Sequence, residues 1–172
     1  MSAVTSALQN QTFFSKEDLQ ACGHGNLSSS IDAKLPVDNM LMMDRVTHIR
    51  PHEGIFRKGF ITSELDITED NWFFECHFVD EPLMPGSLML EGLWQTLGFY
   101  LAWSGYPGKA RALGVSDLKL RGEVTPDAGK IEYHIDIKRI LQKQSVIAVA
   151  QGKVVQGGKD IVFAKDLRVG LF

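Results

Sequence analysis

Met84-Pro85-Gly86-Ser87-Leu88-Met89-Leu90-Glu91-Gly92-Leu93-Trp94-Gln95-Thr96-Leu97-Gly98-Phe99-Tyr100-Leu101-Ala102-Trp103 carries one charged side chain, Glu91. Pro85-Gly86 reads as the start of a helix that runs to about Ser104, a rod of roughly 27 Å at 1.5 Å per residue. Leu88, Met89, Leu90, Leu93, Trp94, Leu97, Phe99, Tyr100 and Trp103 cover all its faces, so protein must surround it. A membrane span over Leu83–Trp103 is the competing reading. Pro85, Gly86, Glu91 and Gln95 interrupt its apolar character, and no close basic cluster flanks it, so no membrane span is expected.

The rest of the chain must supply what surrounds that helix. A length of 172 residues fits one domain. With 44% hydrophobic and 23% charged residues, the composition is that of an ordinary soluble globular protein. The formal charge of −3 argues against nucleic-acid binding, which needs a basic face to neutralise phosphates. Cys22 and Cys76 form neither a disulfide framework nor a zinc-ligand spacing, which suits a reduced compartment. Residues 1–12 lack the basic and apolar regions of a signal peptide, so the expected location is cytoplasmic. Residues 1–14 read as a flexible segment, and 15–172 as the domain.

Ser15 followed by Glu17 and Asp18 predicts a short helix through about Ala21. Met40-Leu41-Met42-Met43 reads as an apolar anchor. From Arg45 the pattern alternates, predicting two strands joined across Pro51-His52-Glu53-Gly54, the second including Ile55, Arg57, Gly59, Ile61 and Ser63. Further strands are predicted over Ala110–Gly122, Lys130–Ile140, Ser145–Val155 and Ile161–Val169. In Lys130–Ile140, Ile131, Tyr133, Ile135 and Ile137 face one way, and Glu132, His134, Asp136 and Lys138 the other. One long apolar helix with five or six antiparallel strands leaves one economical solution. The sheet curls around the helix, an α+β hot-dog arrangement.

A buried carboxylate is costly unless something compensates or uses it. His77 stands fourteen positions before Glu91, in a loop that leads into the helix. Together they have the makings of a general acid–base pair beside an apolar cavity. The plainer alternative is a satisfied core histidine and a hydrogen-bonded buried acid. Gly86 places free first-turn amides where a polarised carbonyl oxygen could dock. Ser87 reads as a helix-start residue; a nucleophilic Ser87-His77-Glu91 triad lacks a Gly-x-Ser-x-Gly elbow. Gln95 shares a helix face with Glu91. His24, His48, His52 and His134 show no metal-ligand spacing, and no metal is expected.

These residues carry a resemblance. Asn39-Met40-Leu41-Met42-Met43-Asp44-Arg45, Trp72-Phe73-Phe74-Glu75-Cys76-His77-Phe78, Pro82-Leu83-Met84-Pro85-Gly86 and Trp94-Gln95 resemble the FabA family of 3-hydroxyacyl-[acyl-carrier-protein] dehydratases. Gly98-Phe99-Tyr100-Leu101, Arg111-Ala112-Leu113-Gly114 and Asp166-Leu167-Arg168-Val169-Gly170-Leu171-Phe172 extend the likeness over about Ser15 to Phe172. The resemblance implies a hot-dog homodimer with two shared sites, each pairing His77 of one subunit with Glu91 of the other. His77 would take the C2 proton of a 3-hydroxyacyl thioester, and Glu91 would protonate the departing hydroxyl. Gly86, with Ser87 and Gln95 nearby, would form the oxyanion and substrate-binding part, and no cofactor would be needed.

The implied setting is fatty acid biosynthesis, with an acyl carrier protein as partner. Lys138, Arg139, Lys143, Lys165 and Arg168 are the candidates for its docking. Four positions depart from the family's pattern: Glu91 replaces the usual aspartate, as in the related FabZ dehydratases, Ser87 replaces a cysteine, and Asp80-Glu81 replaces Gly-Asp. Isomerisation of the trans-2 product to cis-3 is therefore an open part of the expectation. A hot-dog acyl thioesterase and a catalytically silent homologue are the alternatives.

Overall fold

The computed structural model describes residues 8–172. The predicted flexible segment thus falls partly outside the described residues, at 1–7. The order along the chain is helix α1 (Lys16–His24), strands β1 (Arg45–Arg50) and β2 (Phe60–Ile67), helix α2 (Gly86–Trp103), then β3 (Ala110–Gly114), β4 (Asp117–Leu120), β5 (Gly129–Gln142), β6 (Val146–Gln156) and β7 (Lys159–Leu171). All strands pair antiparallel in the order β1-β2-β5-β6-β7-β3. β4 follows β3 along the same edge of β7, pairing Asp117 with Lys165 and Leu120 with Val162. The arrangement is the α+β helix-against-sheet fold expected from the pattern.

α2 lies on the sheet through side chains that alternate along each strand. Ile61 and Leu65, Ile131, Tyr133 and Ile135, Ala148 and Val154, Val162 and Ala164 are all buried with Leu93, Leu97 and Leu101 of the helix. One contact sets how closely helix and sheet approach. A Cβ on Gly92 would lie 2.2 Å from Cζ of Tyr133, whose ring is fully buried on β5. Only a residue without a side chain fits there. The Tyr133 hydroxyl is buried with no hydrogen-bond partner among the described residues. Burial, with the nearby acids Asp44 and Glu91 adding to it, keeps that phenol protonated.

The face of α2 turned away from the sheet is covered by residues 8–43, which changes the expected enclosure. Phe14 is fully buried, its ring edge-on to Phe99 with centroids 4.9 Å apart. Phe14 and Val46 exchange two backbone hydrogen bonds of 3.0 Å, and Trp103 Nε1 donates to the Gln11 carbonyl at 2.8 Å. Residues 8–14 are therefore docked on the domain, because the apolar Phe14 outweighs its polar neighbours. α1 runs three residues past its expected end. Ser15 and Asp18 form a capping box at its start, and Gly25 closes it with φ +78°.

Other expectations shift locally. The strand predicted from Ile55 begins only at Phe60, and residues 51–59 form a turn. That turn folds over β5, so Asp136, expected on the solvent face, is buried and accepts the Ile55 amide at 2.8 Å. The single strand expected over Ala110–Gly122 is two, β3 and β4, divided at Val115–Ser116. β7 itself bends there, with Asp166 at φ +51°, so one straight strand cannot follow it. Within the apolar anchor, Leu41, Met42 and Met43 are buried and Met40 is 47% exposed. No helix among the described residues is long and apolar enough to cross a membrane.

A charge network ties β1, β2 and β5 together at the sheet's outer edge. Glu64 accepts from Arg45 at 2.8 Å and Lys130 at 2.7 Å, and Arg45 also pairs with Asp66. Partial burial raises the Glu64 pKa, but the hydrogen bonds from Lys130 and Arg45 outweigh it and hold the carboxyl below its ordinary value near 4.5.

Two outcomes follow. Gly92→Ala drives a methyl into the Tyr133 ring and should destabilise by about 1–3 kcal/mol, read as a lower denaturant midpoint at unchanged slope. Because the folded pKa of Glu64 is depressed, its contribution is present at neutral pH and lost as pH falls below about 4.5. Glu64→Gln should therefore cost about 1 kcal/mol at pH 7 and show a shallower loss of stability on acidification than the parent.

Candidate active site

The loop before α2 is built to aim one imidazole. A turn at Phe78–Glu81 brings Leu83 back against His77, where the Leu83 amide donates to the His77 carbonyl at 2.8 Å. His77 Nδ1 lies 2.8 Å from the Leu83 carbonyl oxygen, which can only accept. Nδ1 therefore carries a proton, and in the neutral ring Nε2 keeps its lone pair free. His77 is half-buried, with its ring against Phe78 at 3.9 Å between centroids. In the sequence, the Asp80-Glu81-Pro82 turn signal is the only trace of that carbonyl contact.

His77 lines an open cleft of about 570 Å³ with Leu83, Met84, Gly86, Met89, Leu120, Arg121, Gly122 and Glu123. The start of α2 opens into it. Pro85 precedes Gly86 without a capping side chain, and the first helical amides with acceptors are those of Leu88 and Met89, both on the Pro85 carbonyl. The Gly86 and Ser87 amides thus find no backbone acceptor among the described residues. Ser87 is exposed, and no hydrogen bond joins it to His77 or Glu91 among those residues. A nucleophilic triad is not assembled within one chain.

Glu91 lines a different cavity. It is half-buried rather than enclosed. With Trp94, Gln95, Gly98, Phe99, Leu35 and Arg111, among others, it borders a space of about 110 Å³. Trp94 Nε1 is buried there with no acceptor among the described residues. Gln95 is 5% exposed, and its amide is fully engaged. Its Nε2 donates to the Met40 carbonyl at 2.7 Å and to Glu91 Oε1 at 2.9 Å, while its Oε1 accepts the Met42 amide at 2.8 Å. Gln95 clamps the Met40–Met42 segment to the helix and holds the Glu91 carboxylate in one orientation.

The basic candidates lie away from both cavities. Lys138 is paired with Asp166 at 2.5 Å, and Arg168 donates to the Ser116 hydroxyl at 2.7 Å. Arg139, Lys143 and Lys165 are exposed. Register places Arg139 and Arg168 in one cross-strand row on either side of Val149. A third cleft, of about 560 Å³, holds Lys16, Asp44, Arg45 and Asp66, but these are paired with one another. His48 and His134 sit beside Thr62 and Glu132 on the strands, and the described residues contain no group of three or more side chains able to hold a metal. Both cysteines are free. Cys22 is buried, which raises its thiol pKa, and Cys76 is exposed.

Comparison with known proteins agrees with this architecture. The ApeI:P dehydratase heterocomplex of Xenorhabdus doucetiae is similar over 80% of this chain and 88% of its own, at 15% identity and TM-score 0.60. An uncharacterized protein of Pyrococcus horikoshii covers 80% of this chain and 95% of its own, at 12% identity and TM-score 0.55. At such identities the likeness is one of fold, the hot-dog arrangement of helix and sheet. The FabA-like domain family matches residues 35–165, a stretch that contains His77, Gly86, Glu91 and Gln95, and the chain belongs to that family.

Proposed function

We propose that this protein is a 3-hydroxyacyl-[acyl-carrier-protein] dehydratase whose sites are shared between two copies of the chain. The observation that carries the reading is the division of labour within one chain. His77 and Glu91 are each oriented by a fixed partner, yet they open into different cavities. A second copy related by a twofold axis would bring Glu91 of one chain to the cleft of His77 in the other.

In that site the thioester carbonyl oxygen accepts from the Gly86 amide, which acidifies C2. His77 Nε2 takes the C2 proton, and the Leu83 carbonyl supports the resulting imidazolium through Nδ1. The C2–H electrons form the C2=C3 bond as the C3–O bond breaks. Glu91, in its protonated form, gives its proton to the departing hydroxyl, which leaves as water. The net reaction converts the 3-hydroxyacyl thioester to the trans-2-enoyl thioester. Return of the proton from His77 to Glu91 resets the pair. Ser87 lies beside the Gly86 amide, and Gln95 is a positioning residue, since all its polar atoms are held by protein.

Arg139 and Arg168, neighbours across Val149, are the pair that would meet an acidic carrier protein, with Lys143 and Lys165 as further exposed candidates and Lys138 already neutralised by Asp166. The pathway this reading serves is fatty acid biosynthesis. Glu91 and Ser87 leave isomerisation to the cis-3 product as the second activity to be assayed.

Incubation with 3-hydroxydecanoyl thioester should yield trans-2-decenoyl thioester. Thiol release without alkene would instead indicate a thioesterase, and neither product would sink the enzyme reading. His77→Ala and Glu91→Gln should each lower turnover by about 10²–10⁴. Co-refolding the two inactive variants tests the shared site. Half of the dimers are then mixed, with one intact site each, so about a quarter of the parental activity should return if sites span a twofold axis. No recovery would place both groups in one chain. Gln95→Leu releases the Glu91 carboxylate and should lower kcat by about 10²-fold with little change in KM. Equal losses in binding and turnover would count against a positioning role.

A further inference from the structure

Leu120 is an apolar side chain for which the core has little use. It ends β4 and pairs with Val162, which is fully buried, yet Leu120 itself is 53% exposed. Its exposed surface belongs to the cleft that holds His77. Its Cδ1 stands 2.5 Å, and its Cδ2 3.4 Å, from where a Cβ on Gly86 would lie. Leu120 therefore occupies the space beside the first residue of α2 that the missing side chain leaves open.

The cleft's other apolar walls have different duties. Met84 and Met89 are 3% and 2% exposed and packed into the core, and the Leu83 backbone is tied to His77. Leu120 is held in place through its own strand. The next amide, Arg121, donates to Ile161 at 2.7 Å, and Gly122 lies so close to Ile161 that a Cβ would meet it at 2.7 Å. The backbone under Leu120 cannot retreat.

From this we infer that Leu120 is the specificity wall of the His77 cleft, admitting acyl thioesters unbranched at C2 and rejecting those with a 2-methyl group. The inference rests on the proposed dehydratase reading. With the carbonyl oxygen on the Gly86 amide and a C2 hydrogen facing His77, the second C2 substituent points toward the remaining walls. Among these walls the methionines are core-packed, and Leu120, against Gly86, is the apolar side chain that stands free in the cleft. A hydrophobic site discriminates one extra carbon by about 10–200-fold, and a half-exposed wall belongs at the low end of that range.

The test compares kcat/KM for 3-hydroxydecanoyl and 2-methyl-3-hydroxydecanoyl thioesters of N-acetylcysteamine, the latter as resolved diastereomers. The parent should prefer the unbranched substrate by about tenfold. Leu120→Ala should bring the two kcat/KM values within about twofold of each other, and the volume-conserving Leu120→Met should keep the preference. An unchanged preference in Leu120→Ala, or none in the parent, overturns the inference. If the parent forms no alkene from either substrate, the dehydratase reading fails separately. Calorimetric Kd values for decanoyl and 2-methyldecanoyl thioesters then decide on Leu120 by the same ratios: a preference removed by Leu120→Ala upholds the wall, and an unaltered or absent preference refutes it.

Discussion

The close approach of α2 to β5, made possible where Gly92 meets the Tyr133 ring, is the constraint on which the rest of the molecule depends. An eighteen-residue helix with one charge has no stable existence in water unless its apolar surface is covered. The sheet covers one side with alternating side chains, and residues 8–43 close the other through Phe14, Leu19, Cys22 and Leu35. Were the helix held further from β5, the void along Leu93 and Leu97 would cost packing on every strand it crosses.

The same geometry decides what the helix presents to solvent. Its C-terminal two-thirds are almost wholly buried, while Gly86 and Glu91 are half-buried and Ser87 is exposed. A helix start is rich in unpaired amides, and elsewhere in this chain one is satisfied locally: Ser15 caps α1. α2 has Pro85 at that place and no side-chain cap. On the proposed reading, this bare end beside an imidazole with its Nδ1 proton already committed would receive the thioester oxygen.

Much of this was legible in the chain. The helix bounds, the inward row Ile131-Tyr133-Ile135-Ile137 and the α+β class follow from short-range periodicity, which any chain of this pattern expresses. Glu91 stood out because a carboxylate is rare in so apolar a run, and His77 because it stands in the loop that leads into that helix. Errors fell where distant segments meet. Asp136 looked solvent-facing by alternation, but a turn from residues 51–59 covers it. Ala110–Gly122 looked continuous, but β7 bends beneath it. Nothing in the residue pattern announced that Phe14 bridges to Val46.

The amino-acid order by itself determined that one apolar helix would be buried against an antiparallel sheet, and which histidine and which carboxylate would stand at its start. These are consequences of pattern and of the cost of burying polar groups, and both act locally. Only the tertiary structure decided that the Leu83 carbonyl holds the His77 proton, that Gln95 joins Glu91 to Met40 and Met42, and that His77 and Glu91 open into separate cavities. The Gln95 contacts with Met40 and Met42 depend on how segments more than fifty residues apart come to rest on one another, and the His77 contact on how its loop folds back on itself. Side-chain packing sets that arrangement, and it leaves no periodic trace in the sequence.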